Sequence, residues 1–142
     1  MTNPFRGSST DDTRIQVNWV ELTGDATGGA QILSYNLEME KNGVMTELVG
    51  QSSYYSGISY TEQTGIVSGQ NYKFRLRARN KWGFGLWSDT IIIPASTNPL
   101  TQVTSPTTSN NGANVLIQWP LPDQKGSAII EYQVMILTSD GL

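Results

Sequence analysis

Side chains able to act as nucleophiles, proton carriers or metal ligands are scarce in this sequence of 142 residues. Histidine and cysteine are both absent, so the commonest general base and the thiolate metal ligands are missing and no disulfide can form. No pair among the 12 carboxylates has a spacing that indicates acid–base catalysis. Asp11, Asp12 and Asp25 do not have the spacing of a calcium-binding loop. The sequence therefore predicts a protein that is not an enzyme and that needs no cofactor or metal.

Charge and hydropathy argue against two classes of partner. The formal net charge is −3 and the isoelectric point is about 4.8, which provides no basic field for nucleic acid. No apolar run approaches the length of about 18 residues that a membrane helix requires. We therefore expect neither nucleic-acid binding nor membrane insertion.

Aromatic side chains in two Gly-rich segments are the remaining candidates for a binding site. Tyr54 and Tyr55 lie in GQSSYYSG, and Trp82 and Phe84 lie in NKWGFG. Loops rich in Tyr, Ser and Gly form rigid amphipathic contact surfaces, as antibody paratopes do. An alternative is that these rings cover the open end of their own core. The sequence leaves both interpretations open.

The clearest structural pattern lies within the stretch from Gly69 to Ser88. Its residues Tyr72 to Arg79 alternate strictly between apolar and basic side chains, which is typical of a half-buried β-strand. The apolar members are Tyr72, Phe74, Leu76 and Ala78, and the basic members are Lys73, Arg75, Arg77 and Arg79. Similar alternation covers Ile15 to Trp19 and Tyr35 to Met39, and Asn42-Gly43 is a strong hairpin signal. These patterns predict strands with one face in a shared core.

Tyr72 to Asn80 and Gly83 to Ser88 resemble the F strand and the following G-x-G-x-x-S turn of the fibronectin type III domain. The resemblance implies an all-β, immunoglobulin-like, seven-stranded antiparallel β-sandwich over residues 1–96. It places Trp19 in the core and Tyr72 at a tyrosine corner. The strands are expected at residues 2–9, 13–20, 32–41, 46–49, 59–63, 72–80 and 88–94. The same topology brings the loops at 24–30, 50–57 and 80–85 to one pole.

The side-chain phases of these strands predict both faces of the sandwich. The predicted core comprises Ile15, Val17, Trp19, Tyr35, Leu37, Ile66, Tyr72, Phe74 and Leu76. The basic row Arg75, Arg77 and Arg79 is expected to be a solvated face that pairs with Glu38 and Glu40 on the neighbouring strand. Trp87 is expected to lay its ring on one of these guanidinium groups.

Residues 97–142 repeat the beginning of the chain and predict an incomplete second fibronectin type III domain with strands A, B and C. Val115, Ile117 and Trp119 correspond to Ile15, Val17 and Trp19, and Tyr132 corresponds to Tyr35. Met135 and Leu137 occupy the places of Glu38 and Glu40, so both faces of that segment are apolar. The candidate assembly surface is therefore Trp119, Tyr132, Met135 and Leu137. We expect another copy of the protein, or the remainder of a longer chain, to cover it.

The resemblance implies a non-catalytic structural or protein-binding module, one segment of a multi-domain array that acts in adhesion, assembly or spacing. One alternative is an accessory carbohydrate-binding or spacer domain attached to a polysaccharide-degrading enzyme. Another is an intracellular or ciliary scaffold segment. An extracellular or cell-surface location is the leading expectation, with an intracellular location as the alternative.

Overall fold

The computed structural model of the protein describes residues 1–97 and 104–136. The chain divides into two compact units, the first of which is Met1–Thr97. The strands of the first unit are β1 Phe5–Arg6, β2 Ile15–Asn18, β3 Ser34–Lys41, β4 Val44–Val49, β5 Ser59–Glu62, β6 Asn71–Asn80, β7 Gly83–Phe84 and β8 Ile91–Pro94. A single turn of 3-10 helix spans Gly24–Thr27. No helix of the described ranges is long and apolar enough to cross a membrane.

The strands of the first unit form two antiparallel sheets. The smaller sheet has the order β1-β2-β5, and the larger has the order β4-β3-β6-β7, with β8 also paired to β6. The two short strands β7 and β8 lie along the same side of β6, opposite its ends Arg79–Asn80 and Asn71–Phe74 respectively. This arrangement confirms the predicted all-β fibronectin type III fold.

Alternation in β2, β3 and β6 builds one core between the sheets. Its fully or almost fully buried apolar side chains are Ile15, Val17, Trp19, Tyr35, Leu37, Met39, Phe74, Leu76, Ala78, Ile93 and Ala95. Seven of the nine predicted core residues belong to this set. Ile66 and Tyr72 are only partly buried: Ile66 lies in the connection between β5 and β6, Tyr72 lies near the start of β6, and both pack against the core from its rim.

The predicted tyrosine corner is present at the start of β6. The Tyr72 hydroxyl donates to the carbonyl of Gly65 at 3.1 Å and accepts from the amide of Val67 at 2.7 Å. The predicted hairpin is also present, since Asn42 and Gly43 have φ angles of 53° and 80° and join β3 directly to β4.

In the second unit, β9 Thr107–Asn111 and β10 Asn114–Gln118 form an antiparallel hairpin. The predicted third strand of the second copy is wrong for the described residues: residues 119–136 contain no strand. In the first unit the corresponding strand β3 is hydrogen-bonded to both β4 and β6. The described part of the second unit has no such neighbours, so the backbone of 130–136 has no ladder to join.

Replacing Trp19, the largest of the fully buried side chains, tests the assignment of the core. We expect Trp19→Ala to lower the free energy of unfolding by about 3–5 kcal/mol, because it leaves a large cavity between the sheets. Trp19→Phe keeps a ring beside Tyr35 and removes an indole N–H that has no hydrogen-bond partner in the described residues, so its cost should be smaller. Urea unfolding followed by circular dichroism measures both, and a Trp19→Ala cost of less than about 0.5 kcal/mol would contradict the assignment.

Candidate functional site

The outward face of β6 carries a row of cations in the middle of the larger sheet. The register between β3 and β6 sets Arg75 opposite Glu38 and Arg77 opposite Asn36. Arg75 Nε and Nη2 both donate to Glu38 Oε2, at 2.8 and 2.6 Å. Glu38 is only 7% exposed, so water screens this pair less than it screens an ordinary surface ion pair. The expected pairing of Glu38 with the arginine row is confirmed.

Glu40 pairs with a lysine and not with an arginine of the predicted row. Lys73 Nζ lies 3.1 Å from each carboxylate oxygen of Glu40. The reason is the antiparallel register, which sets Met39 opposite Phe74 and therefore brings Glu40 beside Lys73. Both side chains are substantially exposed, so this pair contributes little, about 0–1 kcal/mol.

Aromatic rings lie close to the guanidinium groups of all three arginines in this row. The guanidinium carbons of Arg75 and Arg77 lie 4.2 and 4.1 Å from the centre of the Trp87 ring, so Trp87 covers two arginines where one was expected. The centre of the Phe84 ring lies 4.1 Å from the guanidinium carbon of Arg77 and 5.2 Å from that of Arg79. The guanidinium carbon of Arg79 also lies 5.3 Å from the centre of the Tyr54 ring. We call Trp87, Phe84, Tyr54 and the three arginines the cation–aromatic stack.

At and just beyond the C-terminal (upper) end of β6, three cations have no carboxylate partner among residues 1–97 and 104–136. No carboxylate of residues 1–97 or 104–136 lies within 4.0 Å of the cationic groups of Arg77, Arg79 or Lys81. Arg77 donates to two neutral amide oxygens, Asn36 Oδ1 at 2.9 Å and Gln51 Oε1 at 3.1 Å. The side-chain contacts found for Arg79 and Lys81 are with aromatic rings, and Lys81 Nζ lies 4.9 Å from the centre of the Trp82 ring.

The loop at residues 50–57, which carries Tyr54, is held at its start by glycine geometry. Gly50 has a φ of 94°, and a Cβ at this position would lie 1.8 Å from the carbonyl oxygen of Tyr35. Only glycine allows this approach. The carbonyl of Gly50 accepts from Ser34 Oγ at 2.8 Å, and Ser34 Oγ in turn accepts from the amide of Tyr55 at 3.0 Å. Both ends of the loop are thus tied to the first residues of β3.

Glu47 in β4 fixes the same loop through its carboxylate. Its Oε1 accepts from the amides of Gln51 and Ser52, both at 2.7 Å, and its Oε2 accepts from the Ser52 hydroxyl. The hydrogen bond from the Ser52 side chain is the largest cause that lowers the pKa of Glu47 from its ordinary value of 4.5, and the two backbone amides add to it. The charged form of Glu47 is therefore the form that orders the loop.

The loop between β6 and β7 is joined to the 3-10 turn by one amide side chain. Asn80 Nδ2 donates to the carbonyl of Thr27 at 2.9 Å, and Asn80 Oδ1 accepts from the amide of Trp82, also at 2.9 Å. Between these two loops lies a groove with a volume of about 270 Å³. Its lining includes Leu22, Ile32, Ala78, Asn80, Trp82 and Phe84. The groove thus combines apolar lining residues with the hydrogen bond between Asn80 and Thr27, both of which also line it.

The four aromatic residues proposed from the sequence have different environments. Tyr54 is 60% exposed and Trp82 is 79% exposed. Phe84 is half-buried beneath two guanidinium groups. Tyr55 instead covers the core: its ring centre lies 6.3 Å from that of Trp19, and its hydroxyl donates to the carbonyl of Ser59. The candidate contact surface therefore consists of Tyr54, Trp82 and the edge of Phe84.

Sequence reasoning missed Asn80, Glu47 and Ser34, the polar residues that hold the loops. Asn80 ends the alternating segment and precedes a glycine-containing turn, which is a usual signal for a capping amide. Glu47 and Ser34 have no comparable signal, because their partners lie in a loop whose path depends on the folded sheet. No local pattern in the sequence predicts the contacts of Glu47 and Ser34.

Asp11 stabilises a turn. Its Oδ1 accepts from the amides of Thr13 and Arg14 at 2.8 and 3.0 Å, and its Oδ2 accepts from Arg14 Nε at 2.7 Å. The backbone hydrogen bond from Thr13 is the largest of several that hold the pKa of Asp11 well below its usual range. No group of three or more carboxylates suited to a metal ion occurs in the part of the chain that the structure describes.

In the second unit, Trp119 and Tyr132 of the candidate assembly surface are in contact. Their ring centres are 5.5 Å apart with an interplanar angle of 54°. They border a cavity of about 520 Å³, which is also lined by Pro106, Val134 and Met135. None of the residues 104–136 is buried, and Met135 is 85% exposed. Leu137, the fourth predicted member of this surface, lies outside the described residues.

Comparison with known proteins gives one family. A sequence model of the fibronectin type III domain matches residues 4–93. The chicken protein fibronectin type-III domain-containing protein 3a is 33% identical over 122 residues, and its human counterpart is 32% identical over 123 residues. Each alignment covers 84% of this chain but only 10% of the relative. The chain thus spans about a tenth of the length of these relatives.

Solved structures of isolated domains resemble the first unit. The sixth fibronectin type III domain of human fibronectin type III domain containing protein 3 has a TM-score of 0.52 and 26% identity, covering 71% of this chain and 90% of that domain. Another domain from human fibronectin type III domain containing protein 3 has a TM-score of 0.53 at 20% identity, covering 67% of this chain and 83% of the other. The second of these likenesses concerns the fold alone.

The pH dependence of stability tests the role of Glu47 in ordering its loop. Because its pKa is lowered in the folded state, its stabilisation is present above about pH 4.5 and is lost as the pH falls through the folded-state pKa. We expect Glu47→Gln to lower Tm at neutral pH and this difference from wild type to shrink in acid. Ser52→Ala should show the same trend with a smaller amplitude. A Tm difference that stays constant from about pH 7 to about pH 3 would contradict the assignment.

Proposed function

Since the chain belongs to the fibronectin type III domain family, we propose that it is a non-catalytic protein-binding module within a longer array of such domains. The observation that carries this proposal is the combination of high exposure and fixed backbone at the pole of the first unit. Tyr54 and Trp82 present most of their ring surface to solvent. Their loops are nevertheless anchored by Glu47 and Asn80.

Such a surface suits protein recognition for energetic reasons. Ordering a flexible loop on binding costs free energy, which loops already fixed by hydrogen bonds do not incur. Aromatic rings with few rotatable bonds then supply contact area at low entropic cost, and Tyr and Trp are enriched among residues that dominate binding energy. The shared family and the names of the relatives support a domain-array context, since those relatives are about ten times longer than the aligned segment.

We further propose that the second unit begins another fibronectin type III domain. The rings of Trp19 and Tyr35 in the first unit are 5.9 Å apart at 55°, and those of Trp119 and Tyr132 are 5.5 Å apart at 54°. The pairs thus match in geometry as well as in sequence. The alignments with the relatives, at 84% of the chain, also extend past Thr97, the last residue of the first unit.

The exposed apolar face of the second unit indicates what would complete it. In the first unit, β3 is covered by β4 and β6 within its sheet, and its inward residues are buried by the opposite sheet. The segment 130–136 has no strand neighbour in the described residues, and Ile130 is 96% exposed. We propose that strands equivalent to β4 and β6 are supplied either by the remainder of a longer chain or by another copy.

Affinity capture with loop variants tests the binding function. We expect proteins that are retained by wild type to be lost from the double variant Tyr54→Ser/Trp82→Ser, because both exposed rings are removed. Val67→Ser is the matched control: Val67 is also an exposed apolar residue, but it precedes β6 and so lies at the opposite end of that strand. Quantitative mass spectrometry of the retained proteins measures the effect. Retention of the same proteins by all three baits would contradict the proposal.

Hydrogen exchange and sedimentation velocity of residues 1–142 test the completion of the second unit. If another copy completes it, amides of 130–136 become protected as the chain dimerises, and Trp119→Ala abolishes both effects. If the remainder of a longer chain completes it, the 142-residue chain stays monomeric and these amides remain unprotected. A monomer in which 130–136 is strongly protected would contradict both forms of the proposal.

A further inference from the structure

The balance of charge along β6 changes from its N-terminal (lower) half to its C-terminal (upper) half. Lys73 and Arg75 each lie against a carboxylate, Glu40 and Glu38 respectively. In the upper half, both acceptors described for Arg77 are neutral amide oxygens, and the cationic groups of Arg79 and Lys81 lie over aromatic rings. This cluster carries three positive charges in a chain whose net charge is −3. The upper half of the row is thus a local cationic patch that the surrounding residues do not neutralise.

The guanidinium group of Arg79 is oriented before any partner binds. Its carbon lies over the rings of Tyr54 and Phe84, 5.3 and 5.2 Å from their centres. A cation–π contact of this kind engages the charge of the group but not its N–H donors, which stay available to an acceptor. A planar fork of donors held in this way matches a carboxylate, which accepts two parallel hydrogen bonds. Arg79 therefore has the geometry of a carboxylate receptor.

An apolar groove lies at the same end of β6 but on the opposite face of the strand from Arg79. The groove, of about 270 Å³, is lined by Ala78 and Asn80, whose side chains alternate with that of Arg79, and also by Phe84, whose ring contacts Arg79. Leu22 and Ile32 provide aliphatic surface, and Trp82 forms part of the lining. The volume suits one or two apolar side chains. A ligand that crosses the loop between β6 and β7 from Arg79 into the groove would carry an acidic residue and an apolar residue close together in sequence.

We propose that the partner of this module is an acidic peptide segment of another protein, in which Asp or Glu residues flank an aliphatic or aromatic residue. A carboxylate binds the edge of Arg79, a second lies near Lys81, and the apolar side chain enters the groove. The inference rests on the proposed protein-binding function and specifies its chemistry. Single-stranded nucleic acid would also use arginine and aromatic rings, but it also needs a positively charged groove that follows the phosphate backbone, and three cations on an acidic chain do not form one.

Selection from a phage-displayed library of random dodecapeptides tests the proposal, with the intact 142-residue chain as the target. We expect enrichment of peptides that carry Asp or Glu beside a Leu, Ile, Phe or Trp residue. The best peptide, made synthetically, should bind Arg79→Gln about tenfold more weakly than wild type and should lose affinity as salt is raised. Lys73→Gln is the matched control, because that cation already has a carboxylate partner in Glu40. Its affinity should stay within about twofold of wild type.

Three results would overturn the inference and separate it from the broader function. Peptides without acidic residues that still depend on Tyr54 and Trp82 would disprove the charge preference but leave the protein-binding function standing. Peptides whose affinity falls equally with Lys73→Gln and Arg79→Gln would show a general effect of charge and no site at Arg79. A single-stranded oligouridine that binds more tightly than any selected peptide at physiological salt would replace the peptide by nucleic acid. Thermal unfolding of each variant confirms that the fold is retained.

Discussion

The structure depends on the register of β6 against its neighbours. This strand is hydrogen-bonded to β3 along one side and to β7 and β8 along the other, so its side chains have no freedom to exchange faces. Phe74, Leu76 and Ala78 enter the core, while Arg75 and Arg77 point to the other face. A slip by one residue would move the cations into the core and the apolar residues into solvent. The core and the candidate binding surface are therefore fixed by a single register.

A row of like charges on one strand face carries an electrostatic cost, and the protein offsets it in two ways. In the lower half, carboxylates of β3 neutralise Lys73 and Arg75. In the upper half, aromatic rings take the place of carboxylates: the guanidinium carbon of Arg79 lies over the rings of Phe84 and Tyr54. A ring stabilises a guanidinium group through its quadrupole but does not use its N–H donors. Arg79 thus retains hydrogen-bonding capacity that Arg75 has used on Glu38, and this difference locates the proposed recognition surface.

The sequence predicts the parts of this architecture that follow from local pattern. The two-residue periodicity is sufficient to identify Trp19, Phe74 and Leu76 as core residues, whereas the tyrosine corner at Tyr72 is predicted through the resemblance to the fibronectin type III domain. It does not separate Tyr54 from Tyr55, because their orientations depend on long-range contacts with Arg79 and with Trp19. A strand was predicted at 130–136 from its similarity to β3. Strand formation, however, depends on neighbouring strands, which the described part of the second unit does not provide.

The most direct test of this account is the environment of the Arg79 side chain, measured by nuclear magnetic resonance on the isotopically labelled chain. We expect the Cδ protons and the Nε–H proton of Arg79 to be shifted upfield by the ring currents of Phe84 and Tyr54, with nuclear Overhauser contacts to both rings. We also expect these shifts to collapse in Phe84→Ala but to persist in Trp82→Ala, since the cation–aromatic contact of Trp82 is with Lys81. Random-coil shifts for Arg79, without contacts to either ring, would contradict the claim that this guanidinium group is held ready for a carboxylate.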